Sequence, residues 1–284
     1  MSVSASVVIP MHNGAEVILQ QLEGLSVALR EMCDVEIIVV DNRSWDSGHA
    51  LVRQWADDTG APARVIVADE KAGEPYARNV GWRAALSEVI LFCDADDVVS
   101  PQWAGSLAGS LADQGYATGP LDTSRLNDPR IADLRGERLF RALPALDNGI
   151  PFAHGCNMGF RRSVLERLGG FDESFVIGCD IEIAVRAWRE NIPLTWVPDA
   201  LVHYRLRSTV SDVYRQARAY GRSRRRIDRA VTGAPGALDW GHQARRVAWL
   251  ARHVPDTRTY GGRMKWAWVA GQVVGEGGGR PWRN

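Results

Sequence analysis

No run of apolar residues in this chain approaches the roughly 18 that a membrane-spanning helix needs. The start, Met1-Ser-Val-Ser-Ala-Ser6, lacks both a basic segment and a long apolar segment, so it does not read as a secretory signal. Cysteine is sparse: Cys33, Cys93, Cys156 and Cys179 are scattered, with no Cys-x-x-Cys and no Cys/His metal spacing. That excludes a disulfide scaffold and a zinc module and fits a reduced, cytoplasmic setting. There is no internal repeat. What remains is ordinary for a globular chain of 284 residues, with 45% apolar and 24% charged residues, enough to bury a real core.

The net charge is zero, but its distribution is uneven. Residues 1–204 carry 17 Lys and Arg against 29 Asp and Glu, a balance of −12; residues 205–284 carry 17 against 5, a balance of +12. A basic tail of this size points to a phosphate-bearing partner, a membrane surface, or docking on the acidic body. Nucleic acid is not expected, because the tail carries no recognised module and few interleaved aromatics.

The chain is organised around Val89-Ile-Leu-Phe-Cys-Asp-Ala-Asp-Asp-Val-Val99. Its apolar start reads as a buried strand, and Asp94, Asp96 and Asp97 follow where the strand ends. Three carboxylates in four residues repel one another, and packing does not explain them. A hard divalent cation such as Mg²⁺ or Mn²⁺ does, since it takes oxygen ligands and is shared with substrate phosphates. The competing reading is a solvated acidic turn leading into a helix capped by Ser100 with Pro101 behind it.

Three more strands precede this one: Ser6–Pro10, Val35–Val40 and Arg64–Val67. Helical stretches separate them, the clearest at about 47–58 and 74–87. Strands alternating with helices indicate βαβ units and a mainly parallel sheet. Right-handed crossovers then bring Pro10–Asn13, Asp41–Ser44 and Asp94–Asp97 to one rim, where α/β sheets bind ligands. Residues 101–112 read as a helix. From Gly119 to Pro151 the pattern weakens into a long loop region with one helix near Arg135–Leu143. Beyond it come a strand or strand pair at 152–160, a helix at 163–168, and a helix from Asp180 with an Ile181–Ala184–Val185–Trp188 stripe. Leu194–Val197 and Leu201–Leu206 read as strands, and basic helices occupy 211–231 and 236–252 before a final Trp-bearing helix.

Several segments now match a family in order: Val-Val-Ile-Pro-Met-His-Asn, Glu-Ile-Ile-Val-Val-Asp-Asn-Arg-Ser, Ala77-Arg-Asn-Val-Gly81, Asp-Ala-Asp-Asp, Asn157-Met-Gly-Phe-Arg-Arg, Gly169-Gly-Phe-Asp-Glu173 and Cys179-Asp-Ile-Glu182. Over roughly residues 4–205 the chain resembles family 2 glycosyltransferases. The resemblance implies an α/β GT-A fold, Rossmann-like, with a mixed, mainly parallel sheet flanked by helices. Residues 1–208 would form that domain and 209–284 a basic helical extension. It implies an inverting transfer of sugar from a nucleotide diphosphate sugar, a UDP-sugar in the first place, to a hydroxyl of a glycan, lipid or small molecule.

By the same resemblance Pro10, His12, Asn13 and Asp41 would line the base and ribose, with Asp41 accepting the base N3–H. Arg78 would lie by the diphosphate or the acids. Asp94 and Asp96 would be the Asp-x-Asp pair, and Asp96, Asp97 and His203 would hold Mn²⁺ or Mg²⁺. Asp180 would be the general base, with a second role as N-cap of its helix. Cys179 stands where the family usually has Glu, and a free thiol with pKa near about 8.5 is a poor proton acceptor. His12 replaces a common Tyr, and Asn42-Arg43 a more frequent Asp-Gly. Asn157, Met158, Cys179 and Trp188 would line the sugar or acceptor. The tail lies outside the resemblance; its excess of basic charge would make a peripheral contact at the inner face of the membrane. Two rivals stay open: a non-catalytic GT-A-like scaffold, and a sugar-phosphate nucleotidyltransferase, whose usual glycine-rich loop after the first strand is represented here only by Gly14.

Overall fold

The computed structural model describes residues 4–111, 115–133, 139–175, 177–233 and 239–277. It divides into two units, one of Met1–Leu126 with Leu139–Arg205, the other of Asn127–Arg138 with Leu206–Asn284. The division falls three residues before the expected boundary at 208. The second unit also takes in 127–138, which nothing in the sequence had set apart.

The first unit is built on a seven-stranded sheet. β1 (Ala5–Met11), β2 (Val35–Asp41), β3 (Ala63–Val67) and β4 (Val89–Phe92) are parallel in the order β4-β1-β2-β3. The β-branched runs of β1, β2 and β4 are buried because helices cover the sheet, while β3 at its edge is only partly covered: α1 (Ile18–Ala28), α2 (Gly48–Thr59) and α3 (Glu74–Ala84) make the crossovers. β9 (Met158–Arg161) runs antiparallel between β4 and β6 (Tyr116–Thr118), and β10 (Leu194–Trp196) closes the far edge parallel to β6. Val7, Ile9, Ile37, Val39 and Leu91 meet Leu22, Leu25, Val52 and Trp103 in one core cluster. At about 25 cal/mol per Å² of apolar surface removed from water, such a core is the main stabilising term of the unit.

A second, small sheet has the order β5-β11-β7-β8, from β5 (Val98–Val99), β11 (Val202–His203), β7 (Leu121–Asp122) and β8 (Leu139–Phe140). Each strand is two residues long, too short to show a period in sequence. The expected helix near Arg135–Leu143 is corrected here, because Leu139–Phe140 pairs antiparallel with Leu121–Asp122; residues 134–138 lie outside the described residues. Helix α4 (Trp103–Ser110) begins later than expected, with Gln102 rather than Ser100 at its N-cap. Helix α5 (Pro129–Ala132) belongs to the second unit, while α6 (Arg162–Leu168) and α7 (Cys179–Arg189) complete the first.

The second unit is helical, from α8 (Val210–Thr232), α9 (Trp240–Arg252) and α10 (Tyr260–Gly277). Small residues let α8 and α10 touch backbone to backbone: a Cβ on Gly271 would lie 2.6 Å from the Tyr214 carbonyl, and one on Gly221 would lie 2.5 Å from that of Gln272. Among its described residues the unit buries one acid, Glu276, which accepts from Arg246 Nη1 at 2.6 Å and from Gln243. Among the described residues no helix is long and apolar enough to cross a membrane.

Candidate active site

The carboxyl ends of β1, β2 and β4 meet on one rim because the three strands are parallel neighbours in register, with Met11 opposite Asp41 and Val8 opposite Phe92. At the β2 end, Asp41 is buried; its Oδ1 accepts the Ser44 N–H at 3.2 Å, and its Oδ2 lies 3.7 Å from His49 Nδ1. It therefore fills the turn-capping role with one oxygen and keeps the other available. Asn42 donates to the carbonyls of Ala68 and Lys71 and accepts from the Gly73 N–H at 2.8 Å, so it ties the β2 end to the loop before α3. At the β1 end, His12 Nδ1 lies 2.8 Å from the Asn42 carbonyl oxygen. Asn13, at φ +54°, accepts the Trp45 N–H at 3.0 Å. The Trp45 ring stands edge-on to His12, 5.0 Å between centroids, and is 82% exposed. Pro10, one residue back on β1, is half-buried opposite Val40. Sequence reading missed both His49 and Trp45, although a tryptophan directly after the Asp41–Ser44 turn was a usable signal.

Arg78 is the centre of the charged part of the site. Its side chain is 1% exposed. It pairs with Glu74, one helical turn earlier on α3, and with Asp94 Oδ1 at 3.0 Å, and it donates to the Gly155 carbonyl at 2.9 Å and to Cys179 Sγ at 3.3 Å. Burial opposes its charge, but Glu74, Cys179, Asp94 and Asp180 outweigh that and hold it firmly protonated. A side chain at 155 would crowd it: a Cβ there would lie 2.9 Å from Nη2. The guanidinium thus joins α3, the β4 end and the loop before β9.

The acids beyond β4 are not equivalent. Burial first, then Glu74, push the half-buried Asp94 up to about 7, with Arg78 pulling the other way. Asp97 is fully buried; its Oδ1 accepts the Arg205 N–H at 2.7 Å, while its Oδ2 is buried without a hydrogen-bond partner. Burial, then Asp96 and Asp94, hold the Asp97 carboxyl well above the usual range. Among the described residues Asp94, Asp97 and Cys156 form a group whose ligand atoms all lie within 4.8 Å of one another. An orphaned buried carboxylate oxygen beside a second carboxylate and a thiol is a donor set that a divalent cation would satisfy. The cation-binding residues expected from sequence were Asp96, Asp97 and His203, so only Asp97 is shared. Asp96 is half-buried, and its backbone carbonyl accepts from Arg205 Nε at 2.7 Å. His203 is held by Asp122, Nδ1 to Oδ2 at 2.9 Å, in a strand that pairs with Val98–Val99. Cys156 gave no signal in sequence, since its partners lie some sixty residues earlier.

Asp180 sits in the first turn of α7, half-buried, accepting the Gly155 N–H at 3.2 Å and the Ile181 N–H at 2.9 Å. The N-cap is Gly178, at φ +84°, so the capping role expected of Asp180 is corrected: the left-handed turn at Gly178 starts the helix one residue earlier. Cys179 is buried against Arg78, and burial pushes its thiol far up, which removes it as a base. His154 lies on the same loop, its proton affinity lowered by burial against the pull of Asp180.

The residues expected to line the acceptor are corrected in two places. Asn157 is fully buried and its amide is consumed by Trp103 Nε1 (2.9 Å) and the carbonyls of Pro120 and Ala200 (3.1 and 2.8 Å). Met158 is fully buried on β9 opposite Phe92. Both are core and position the loop at 154–156. Trp188 is 52% exposed near the far end of α7, two turns from Asp180.

A mixed sheet of order β10-β6-β9-β4-β1-β2-β3, with an acid-bearing turn at the end of β4 and a small sheet behind that turn, defines the GT-A fold, and solved structures agree. The chain belongs to glycosyl transferase family 2: the model of that family matches residues 6–169, and that of glycosyl transferase family group 2 matches residues 89–269. Among curated relatives, Glycosyltransferase AglE of Haloferax volcanii is 24% identical over 69% of this chain and 65% of its own length. The Pre-mycofactocin glycosyltransferase of Mycobacterium tuberculosis is 27% identical over 77% of this chain and 46% of its own. The Succinoglycan biosynthesis protein ExoO of Rhizobium meliloti is 30% identical over 61% and 52%. The chain thus spans between about half and two thirds of the length of these relatives. Two solved structures share the fold at 20% identity. One is the mannosyltransferase PcManGT from Pyrobaculum calidifontis in complex with GDP-Man and Mn²⁺ (TM-score 0.63, 99% of this chain and 89% of that one). The other is glucosyl-3-phosphoglycerate synthase from Mycobacterium tuberculosis with Mn²⁺, UDP and glucosyl-3-phosphoglycerate (0.57, 84% and 82%).

Proposed function

We propose that this protein transfers a sugar from a nucleotide diphosphate sugar, a UDP-sugar in the first place, to an acceptor hydroxyl with inversion at the anomeric carbon. The observation that carries the reading is the surplus of acid at the β4 end: Arg78 neutralises part of it, and a buried Asp97 oxygen is left without a partner. Asp94, Asp97 and Cys156 would hold Mn²⁺ or Mg²⁺. When bound, such a cation would neutralise charge developing on the leaving diphosphate.

The chain's own residues do the rest. Asp41 would accept the base N3–H with its free oxygen, His12 and Asn13 would frame the base and ribose, and Pro10 would close the pocket behind them. Asp96, on the same turn as the metal-binding acids, would contact the ribose, and Arg78 would fix Asp94. Asp180 would take the acceptor hydroxyl's proton: it is half-buried, and two backbone N–H groups hold it in place while each oxygen keeps a lone pair. Cys179 and Trp188 would lie toward the acceptor side. The basic C-terminal unit would give the enzyme a peripheral place at a membrane surface. A solved relative with UDP and another with GDP-Man make the base identity the open variable.

The test is a screen of UDP- and GDP-sugars with Mn²⁺, reading nucleotide diphosphate release in wild type and Asp180→Asn. The expected result is slow release from a UDP-sugar, accelerated by a hydroxyl acceptor, with the acceleration lost in Asp180→Asn. Release from GDP-sugars alone would keep the site and replace the base assignment. No release and no nucleotide binding by folded protein would turn the reading to a non-catalytic scaffold.

A further inference from the structure

Helix α9 uses one face within its unit and leaves the other bare. On the used face, Gln243 and Arg246 reach Glu276, and the Leu250 carbonyl accepts from Trp266 Nε1 at 3.1 Å. A second face, about a third of a turn round the helix, carries Trp240, Ala244, Val247, Ala248 and Ala251, spaced i, i+4, i+7, i+8 and i+11, and Val254 continues it past the helix end. All six are exposed, Trp240 by 76% and Val247 by 52%. An apolar stripe on the outside of a helix is the reverse of what a solvated helix needs.

Within the helix the charges are of one sign, with the acids Asp239 and Asp256 lying just beyond its two ends. Between Trp240 and Arg252 there is no acid, and the charged side chains are Arg245, Arg246 and Arg252. Residues 205–284 as a whole carry a balance of +12, from 17 Lys and Arg against 5 Asp and Glu. Among the described residues, five of the eleven exposed large hydrophobic side chains fall in this unit: Tyr220, Trp240, Val247, Val254 and Val274. Packing inside the unit does not need the stripe, because α8 and α10 join through their own small residues. Spanning is excluded for the described helices. A short helix with a Trp-bearing apolar face and arginines as its only charges lies in a membrane interface, its apolar side in the headgroup boundary and its arginines against lipid phosphates.

We propose that the outer face of α9 is a membrane-contact surface for an anionic phospholipid bilayer, with Trp240 and Val247 as its inserted anchors. This deepens the peripheral reading of the basic unit and is independent of the donor chemistry.

The test is co-sedimentation of the full chain with vesicles of phosphatidylcholine alone and of an equal mixture of phosphatidylcholine and phosphatidylglycerol, at low and high salt. Wild type is compared with Trp240→Glu/Val247→Glu and with Leu86→Glu, an exposed apolar residue of the first unit. The expected result is binding to the mixed vesicles only, weakened by salt. The double variant should lose about tenfold or more in affinity, as burial of two large apolar side chains implies, and Leu86→Glu should behave as wild type. Unchanged UDP titration by the double variant would show its donor site intact. Equal binding by the double variant and wild type would overturn insertion of the stripe while leaving an arginine-only contact. Binding to phosphatidylcholine alone would overturn the anionic preference, and no binding to either vesicle would overturn the peripheral reading as well.

Discussion

Each unit has a buried charge met by the opposite sign, Arg78 in one and Glu276 in the other, but the two arrangements close differently. In the helical unit Glu276 is met by Arg246, by Gln243 and, at 3.8 Å, by Arg224, and the account is balanced. In the sheet unit Arg78 is met by Glu74 and Asp94, yet Asp97 stands nearby with an Oδ2 that accepts no N–H, the Cys156 thiol being the neighbour of its carboxyl. The first pattern is what a fold needs to hold its helices together. The second leaves a carboxyl that burial holds in its neutral form, and an unpartnered buried polar group in a native fold marks a place where a ligand completes it. The difference separates scaffold from site more sharply than burial does, since both charges are almost fully buried.

Removing the buried cation gives the largest expected effect. Arg78→Met strands Glu74, Asp94 and the Gly155 carbonyl and should cost about 3–5 kcal/mol in denaturant unfolding, with nucleotide binding lost as well. Glu276→Gln keeps the shape and one acceptor of the other centre. It should cost about 1–3 kcal/mol and leave nucleotide titrations untouched; a lost donor affinity in this variant would break the distinction drawn between the two centres. At the rim, Trp45→Ala should leave the unfolding midpoint where it is, because the ring is mostly in water. It should weaken nucleotide binding by about 1–3 kcal/mol if the base stacks there, which calorimetry reads directly.

The smallest effect concerns a carboxylate of the sheet unit that is fully satisfied. Glu36 accepts from Ser6 Oγ, the Leu86 N–H and Arg64; burial opposes its charge, but these donors outweigh it and hold the carboxyl below its usual range. Its contribution to stability is therefore present above the unfolded value of about 4.3 and is lost as pH falls through the lower folded value. Glu36→Gln should be less stable than wild type at neutral pH, and the gap should close toward pH 3 in unfolding curves taken across that range. A gap that widened in acid would reverse the sign of this argument.

How far the sequence could be read follows from the physics of each element. Strands β1, β2 and β4 were legible as apolar runs ended by Pro or Asp, and their parallel order brought the right three turns to one rim. Residues 139–140 were not, because a two-residue strand has no period and its partners at 121–122 are fixed only by the fold. Asp180 was placed correctly on α7 but misread as its cap, since the left-handed turn at Gly178 is visible only in backbone angles. Asn157 and Met158 belong to a motif whose work is internal: an amide that is fully buried and spends both N–H donors on Pro120 and Ala200 and its oxygen on Trp103 is out of reach of an acceptor sugar. Cys156 entered the acid group through contacts distant in sequence, which spacing could not reveal.

The most direct measurement is calorimetric titration of UDP and GDP with Mn²⁺ and again with EDTA, on wild type and on Asp94→Asn. The account predicts UDP binding that requires the cation and is lost or strongly weakened in the variant, whose fold is confirmed by circular dichroism. UDP binding of equal strength in EDTA, or unchanged in Asp94→Asn, would contradict the claim that the uncompensated acids of the β4 end exist to hold a cation beside a nucleotide.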